Sequence, residues 1–242
     1  MVVAIFSDVH SNLESLEGFV NETYGKVDRY ICLGDIVGYG PDPNVCVNIV
    51  KSLCGTEWAI RGNHDRALLD PQRTSEFNFV AAEAIFWTLN RVSESELDYL
   101  RKLSDIIDYD SYIFVHGGLT DLDEYIISLS SAKRNLNKLE NVGKKIMFFG
   151  HTHIPAMWSS KGFHEVPFDR PIYLDNDSIY LINPGALGQP RDNIPLGAYL
   201  LFNTTENFVI FKRFEYDVEK TYRKIVNRGL PEYLGRRLKF GV

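Results

Sequence analysis

Along the first 150 residues, short apolar runs alternate with stretches of helical periodicity, and this alternation restricts the fold more than any other feature of the chain. Val2–Phe6 reads as a strand. Ser11-x-x-Glu14 has the form of a capping box that opens a helix with Leu13, Leu16 and Val20 on one face, and Gly25 closes it. Tyr30–Leu33 is the next run; a Gly/Pro-rich loop then leads to a helix near Asn44–Leu53, followed by Trp58–Ile60. Such alternation predicts βαβ units and a largely parallel or mixed sheet.

The region from about residue 74 to 104 reads as helical, with a second capping box at Ser93-x-x-Glu96 ahead of Leu97, Leu100 and Leu103. Ile113–Val115 and Ile146–Phe149 are further apolar runs, separated by a helix near Ser131–Leu139. Beyond Ala156 the pattern changes to short strands, at Ile179–Ile182, Ala198–Phe202 and Phe208–Phe211, divided by turn clusters such as Asp175-Asn176-Asp177. A closing helix is expected from Asp217, ended by Gly229 and Pro231. There is no internal repeat and no low-complexity linker, so the expectation is one α/β domain spanning residues 1–242, with two sheets and helices outside them.

Five of these runs lead almost directly into residue types that can ligate metals. Val2–Phe6 precedes Asp8-Val9-His10, and Tyr30–Leu33 precedes Gly34-Asp35. Trp58–Ile60 precedes Gly62-Asn63-His64-Asp65, Ile113–Val115 precedes His116, and Ile146–Phe149 precedes Gly150-His151-Thr152-His153. Ligand sites of open α/β sheets lie beyond the carboxyl ends of the strands, so the five groups are placed to converge. Asp8 and His10 are two apart, as are His151 and His153; in extended backbone each pair would project to one side and toward one ion. Taken singly, each motif reads as an ordinary loop, an Asx turn or a core histidine. Five of the six histidines occupy these strand ends, however, and only His164 does not.

As an ordered set, Asp8-x-His10, Gly34-Asp35, Gly62-Asn63-His64-Asp65, His116 and Gly150-His151-x-His153 resemble the signature of the calcineurin-like metallophosphoesterases. Asn183-Pro184-Gly185 and Gln189-Pro190-Arg191 resemble the smaller bacterial and archaeal members. The resemblance implies a four-layer α/β/β/α sandwich. It also implies that Asp8, His10, Asp35 and His153 hold one divalent ion and Asp35, Asn63, His116 and His151 a second, with Asp35 bridging. His64 then becomes a general acid, oriented by Asp65. Two ions about 3.5–4 Å apart can activate a bridging water and clamp phosphoryl oxygens during in-line displacement. Ligands of Asp, His and Asn without cysteine suit Mn²⁺, Fe, Zn²⁺, Mg²⁺ or Ni²⁺, and Mn²⁺ is the expected activator.

The serine/threonine phosphatases of this superfamily carry an Asp-Arg-Gly segment soon after the Gly-Asp motif. Here Gly34–Gly40 contains no arginine, which favours a phosphodiesterase over a phosphoprotein phosphatase. A phosphomonoesterase remains an alternative. Arg61-Gly62-Asn63-His64-Asp65 resembles the diadenosine tetraphosphatases, so a dinucleoside polyphosphate hydrolase is another. A non-catalytic scaffold of the same fold is a further alternative, but the complete ligand set speaks against it. Arg191 is a candidate phosphate contact and Tyr39 a candidate stacking residue. Segment 74–104 and loop 117–130 are expected to flank the cleft.

The bulk properties agree with a small-molecule or nucleotide phosphate ester as substrate. The formal charge of −6 argues against an extended nucleic-acid interface, and Arg236-Arg237-Leu238-Lys239 reads as a solvated helix end. No run approaches the roughly 20 apolar residues of a membrane span, and the apolar start reads as a strand rather than a signal peptide. Cys32, Cys46 and Cys54 have no paired spacing, which suits a reducing cytoplasm.

Overall fold

The computed structural model describes residues 1–242. In chain order, the first half runs β1 (Val2–Phe6), α1 (Leu13–Thr23), β2 (Arg29–Cys32), α2 (Pro43–Cys54) and α3 (Asn63–Leu69). A 3₁₀ turn at Pro71–Glu76 leads to α4 (Phe79–Leu89), α5 (Glu94–Lys102), β3 (Ile106–Tyr109) and β4 (Tyr112–Val115). There follow α6 (Leu129–Asn141), β5 (Ile146–Phe148), β6 (Ala156–Ser159), β7 (Gly162–His164), β8 (Ile172–Tyr173) and β9 (Tyr180–Asn183). The chain ends with β10 (Gly197–Asn203), β11 (Phe208–Phe214), α7 (Val218–Asn227) and α8 (Glu232–Leu238).

The strands form two mixed sheets, ordered β2-β1-β10-β11-β8 and β3-β4-β5-β9-β6-β7. Period-2 alternation explains how they stack. In β1, Val3 and Ile5 face the second sheet, where they meet Phe114, Phe148 and Ile182. Ala4 and Phe6 face the other way, toward Leu16 and Phe19 of α1 and Val47 and Val50 of α2. The second sheet repeats the logic: Ile113, Val115, Met147 and Phe149 turn outward onto Leu136 and Leu139 of α6. Strands apolar on both faces therefore produce the expected four-layer α/β/β/α sandwich. A further cluster joins Trp87 of α4 to Ile225, Leu234 and Leu238, beneath Tyr39.

Several local expectations needed correction. The first helix is capped by Asn12, whose side chain accepts from the Ser15 amide, and not by Ser11. Trp58–Ile60 forms no strand. It makes single bridges, Cys32 to Ala59 and Ile60 to Ser104, because the chain turns into α3 at Asn63 before a ladder can extend. The 74–104 region is a 3₁₀ turn and two helices, broken near Asn90. The edge strands β3, β6, β7 and β8 escaped the apolar-run criterion, being short or interrupted by polar residues. Pro231 separates α7 from α8, so the chain closes on two helices. No helix is long and apolar enough to cross a membrane.

Candidate metal centre and its cleft

β1 and β2 run parallel in one sheet and β4 and β5 in the other, and the residues beyond the carboxyl ends of all four strands come together at one edge of the sandwich. Asp8, Asp35, His116 and His151 leave those ends within three residues of the last strand position. Two groups of ligand atoms result, Asp8, His10, Asp35 and His153 in one, and Asp35, His116 and His151 in the other; within each group the atoms lie within 4.8 Å of one another. All are buried, and Asp35 is common to both. Asn63 places its Oδ1 3.1 Å from His116 Nε2, beside the second group.

The convergence does not arise as the i, i+2 spacing suggested. His151 and His153 fall in different groups. Asp8, His10, Asp35, His151 and His153 all adopt left-handed backbone, with φ between 48° and 66°. Left-handed backbone costs a non-glycine residue energy, and tight loops after the strands, not extended alternation, aim these side chains. Close packing of backbone enforces the arrangement. A Cβ added to Gly62 would lie 2.0 Å from Asp35 Oδ1, so that carboxylate reaches its place only because residue 62 has no side chain.

The hydrogen bonds sort the imidazole nitrogens. His10 Nδ1 donates to the Val37 carbonyl (3.1 Å), His116 Nδ1 to Leu33 (2.8 Å) and His153 Nδ1 to Gln189 (2.5 Å). This leaves each Nε2 lone pair aimed inward, as metal-ligating histidines require. His10 Nε2 and His153 Nε2 then face each other at 3.2 Å, and Asp8 Oδ1 lies 3.2 Å from His153 Nε2. Asp8 Oδ1 and His151 Nε2 are buried with no hydrogen-bond partner. Lone pairs opposed at such distances repel unless a cation lies among them, so the donor set fits divalent ions.

Titration without ions points the same way. Burial pushes the pKa of His10 and His153 well below the usual imidazole range and that of His151 down to about 3, keeping them neutral. Burial raises Asp8 to about 7. His116 resists its own burial because the Asp35 carboxylate, 3.3 Å away, raises it to about 9.

Asn183, at the end of β9, donates to the Gly150 carbonyl (2.7 Å) and to Thr152 Oγ1 (3.0 Å), fixing the loop that carries His151 and His153. His64 lies above the centre. Its Nδ1 is buried without a partner against Gly38, where an added Cβ would lie 2.3 Å away, so Nε2 is the nitrogen left to face the cleft. Burial lowers its pKa to about 4. Asp65 does not touch the His64 ring as the resemblance implied: its carboxylate is consumed by the amides of Ile36 (3.0 Å), Val37 (3.1 Å) and Gly62 (2.9 Å). Tyr39 packs on His10 and His64, ring centroids 4.6 and 4.4 Å apart.

These side chains open into a cleft of about 210 Å³ whose walls include Tyr39, His64, Phe77, Asp123, Tyr125 and Arg191. Both predicted flanks therefore line it, 74–104 through Glu76, Phe77 and Asn78, and 117–130 through Asp123 and Tyr125. Arg191 is its one cationic side chain. It hydrogen-bonds Gln189 Oε1 at 2.9 Å, forms no salt bridge, and leaves its buried Nε unpartnered. Sequence reasoning missed Tyr125, whose ring centroid lies 4.0 Å from that of His151. An aromatic following shortly after His116 was the available signal.

Comparison with known proteins agrees with this geometry. Residues 1–207 match the calcineurin-like phosphoesterase superfamily domain. An uncharacterised protein of Methanocaldococcus jannaschii, MJ0912, is 38% identical over 248 residues, covering 99% of this chain and 98% of that one. The crystal structure of a metallophosphoesterase from Sphaerobacter thermophilus superposes with a TM-score of 0.89 at 36% identity, covering 100% and 99% of the two chains. Hypothetical protein PH1004 of Pyrococcus horikoshii OT3 shares the fold, with a TM-score of 0.80 at 18% identity over 100% and 98%. The chain belongs to the calcineurin-like phosphoesterase superfamily and is a metal-dependent hydrolase of phosphoric esters.

Proposed function

We propose that this protein is a phosphodiesterase that binds two divalent ions, Mn²⁺ by preference, and uses His64 as general acid. The observation that carries this reading is the pair of ligand groups sharing Asp35 beneath a cleft that also contains His64 and Arg191. Asp8, His10, Asp35 and His153 would hold one ion, and Asp35, Asn63, His116 and His151 the other. When bound, such ions neutralise charge on the phosphoryl oxygens and acidify the attacking water. Arg191 binds a non-bridging oxygen of the substrate, since its guanidinium meets only the Gln189 amide oxygen and keeps Nε unpartnered. Burial holds His64 neutral in the open cleft; the negative charge of a bound phosphate raises its pKa, so the ring takes up a proton and delivers it from Nε2 to the leaving oxygen. Tyr39 and the Gly38 backbone hold that ring in place.

The charge of the cleft supports a diester. A phosphomonoester brings about two negative charges, and beyond the ions the cleft offers it a single arginine, Arg191, with none in Gly34–Gly40. The buried free cysteines Cys32, Cys46 and Cys54 suit a reducing compartment such as the cytoplasm.

The test is hydrolysis of aryl and alkyl phosphodiesters with and without Mn²⁺, by wild type and His64→Ala. General acid catalysis contributes about 10²–10⁴-fold, so the mutant should lose that much on a poor leaving group and far less on p-nitrophenolate, which leaves unprotonated. Equal losses on both would remove His64 from this role, and absence of metal-dependent turnover on every ester would remove the function.

A further inference from the structure

The rim of the cleft carries an aromatic side chain that no step of hydrolysis uses. Tyr125 lies with its ring 4.0 Å, centroid to centroid, from the ring of His151, yet remains 48% exposed. The His151 ring, tilted by 40°, covers part of one face, and Tyr125 lines the cleft. Of the large hydrophobic side chains that the protein leaves exposed, Tyr125 is the one that lines this cleft, where a planar ligand would cover it.

The loop that presents Tyr125 is firmly held on both sides. Glu124 accepts from Asn135 Nδ2 of α6 at 2.9 Å and pairs with Arg134, while Ile126 is buried in the cluster under α6. Asp123 is bound by Arg66 of α3 and by Arg73 of the 3₁₀ turn, the latter at 3.1 Å. Across the cleft, Phe77 packs on His64 with ring centroids 4.8 Å apart. Beside it, Asn78 spends its Oδ1 on the Ala81 amide and keeps its amide NH₂ free. Glu76 completes this side as an exposed carboxylate without a salt-bridge partner.

Aromatic faces, a free amide and a carboxylate suit a planar, uncharged group with hydrogen-bonding edges, and they repel a second phosphate. We propose that Tyr125 is the stacking platform for a nucleobase, so that the substrate is a nucleoside-containing phosphodiester, a reading that rests on the phosphodiesterase assignment above. His151 fixes the ring close to the metal centre, and the base stacks on the open face while Arg191 takes the phosphate.

The test measures affinity of the Mn²⁺-loaded full chain for adenosine 5′-monophosphate and ribose 5-phosphate by titration calorimetry. These ligands share phosphate and sugar and differ only in the base. Stacking on one aromatic ring changes affinity by about tenfold to a hundredfold, so wild type should favour the nucleotide by that factor. Tyr125→Ala should abolish the preference by weakening the nucleotide alone, and Tyr125→Phe should retain it. Tyr125→Leu, which keeps an apolar cover on His151 without a π face, should behave like the alanine variant even if the latter folds poorly. Absence of a preference in wild type, binding of neither ligand, or equal weakening of both ligands in the leucine variant would overturn the proposal. Diester turnover by the same preparation separates the two readings. Turnover without base preference refutes the platform alone, and base preference without turnover refutes the phosphodiesterase alone.

Discussion

Asp65 offers the sharpest test of how this site is built. Its carboxylate is fully buried and accepts three backbone amides, from Ile36, Val37 and Gly62, at 2.9–3.1 Å. These bonds join the loop after β2, which carries Asp35 and Tyr39, to the start of α3, which carries Asn63 and His64. Asp65→Ala would orphan three buried donors. Each costs about 1–3 kcal/mol, giving about 3–9 kcal/mol before offsets. The carboxylate itself pays for burial, which raises its pKa to about 6, so removing it recovers part of that cost. A net destabilisation of about 3–5 kcal/mol remains, a large share of the roughly 5–15 kcal/mol typical of a domain. Urea unfolding should show a lowered midpoint at unchanged slope, and Mn²⁺ titration of the folded fraction should show weakened binding as Asp35 and Asn63 lose their common anchor. Were Asp65 instead a partner of the His64 ring, the variant would keep its stability and metal affinity and change only its pH–rate profile. That result would refute the backbone-clamp argument.

Two further outcomes follow from the same coordinates. Divalent ions bind the native ligands and not the scattered ones of the unfolded chain, so at a hundredfold excess over Kd each site adds about 2.7 kcal/mol. Differential scanning calorimetry should therefore show Tm rising by about 5–10 °C per site on Mn²⁺ loading and falling on chelation, and an unchanged Tm would contradict the donor geometry. In the first turn of α1, burial opposes ionisation of Glu14, yet hydrogen bonds from Lys224 and Lys220 outweigh it and hold its pKa below the usual range. A depressed carboxylate contributes stability above its unfolded pKa that is lost as pH falls through the folded one, so wild type should lose stability below about pH 4.5. Lys224→Met should flatten the urea midpoint against pH in that window, and an unchanged slope would show that the pair does not set it.

Local signals in the chain carried much of this protein. The alternation in Val2–Phe6 and Ile113–Val115 was legible because a strand buried on both faces must be apolar throughout, and such runs stand out in any sequence. The ligand residue types after them were legible for a related reason: a buried cluster of Asp and His has few purposes besides binding a cation. Ser93 was legible as a helix start, since it holds the position before α5, but the expected capping box does not form: its hydroxyl donates to the Glu96 carboxylate and caps no amide. Ser11 failed by the same criterion, since Asn12 stood next to it and the tertiary position of Gly188, whose carbonyl accepts from Asn12 Nδ2, decided between them.

Other properties belong to the assembled fold. The partition of His151 and His153 between two groups depends on left-handed turns whose cost is met by packing from distant segments, such as Asn183 on the Gly150–Thr152 loop. The partners of Asp65 lie up to 29 residues away, and nothing in the neighbouring residues says whether its oxygens meet a ring or an amide. The unpaired state of Arg191 and the placing of Tyr125 on His151 are likewise relations between loops. Periodicity and capping are short-range energies written in consecutive side chains, so the sequence by itself determined the layers and the chemistry of the site. Which donor meets which acceptor across a cleft is settled only when loop closure and backbone packing leave one arrangement with its buried polar groups satisfied.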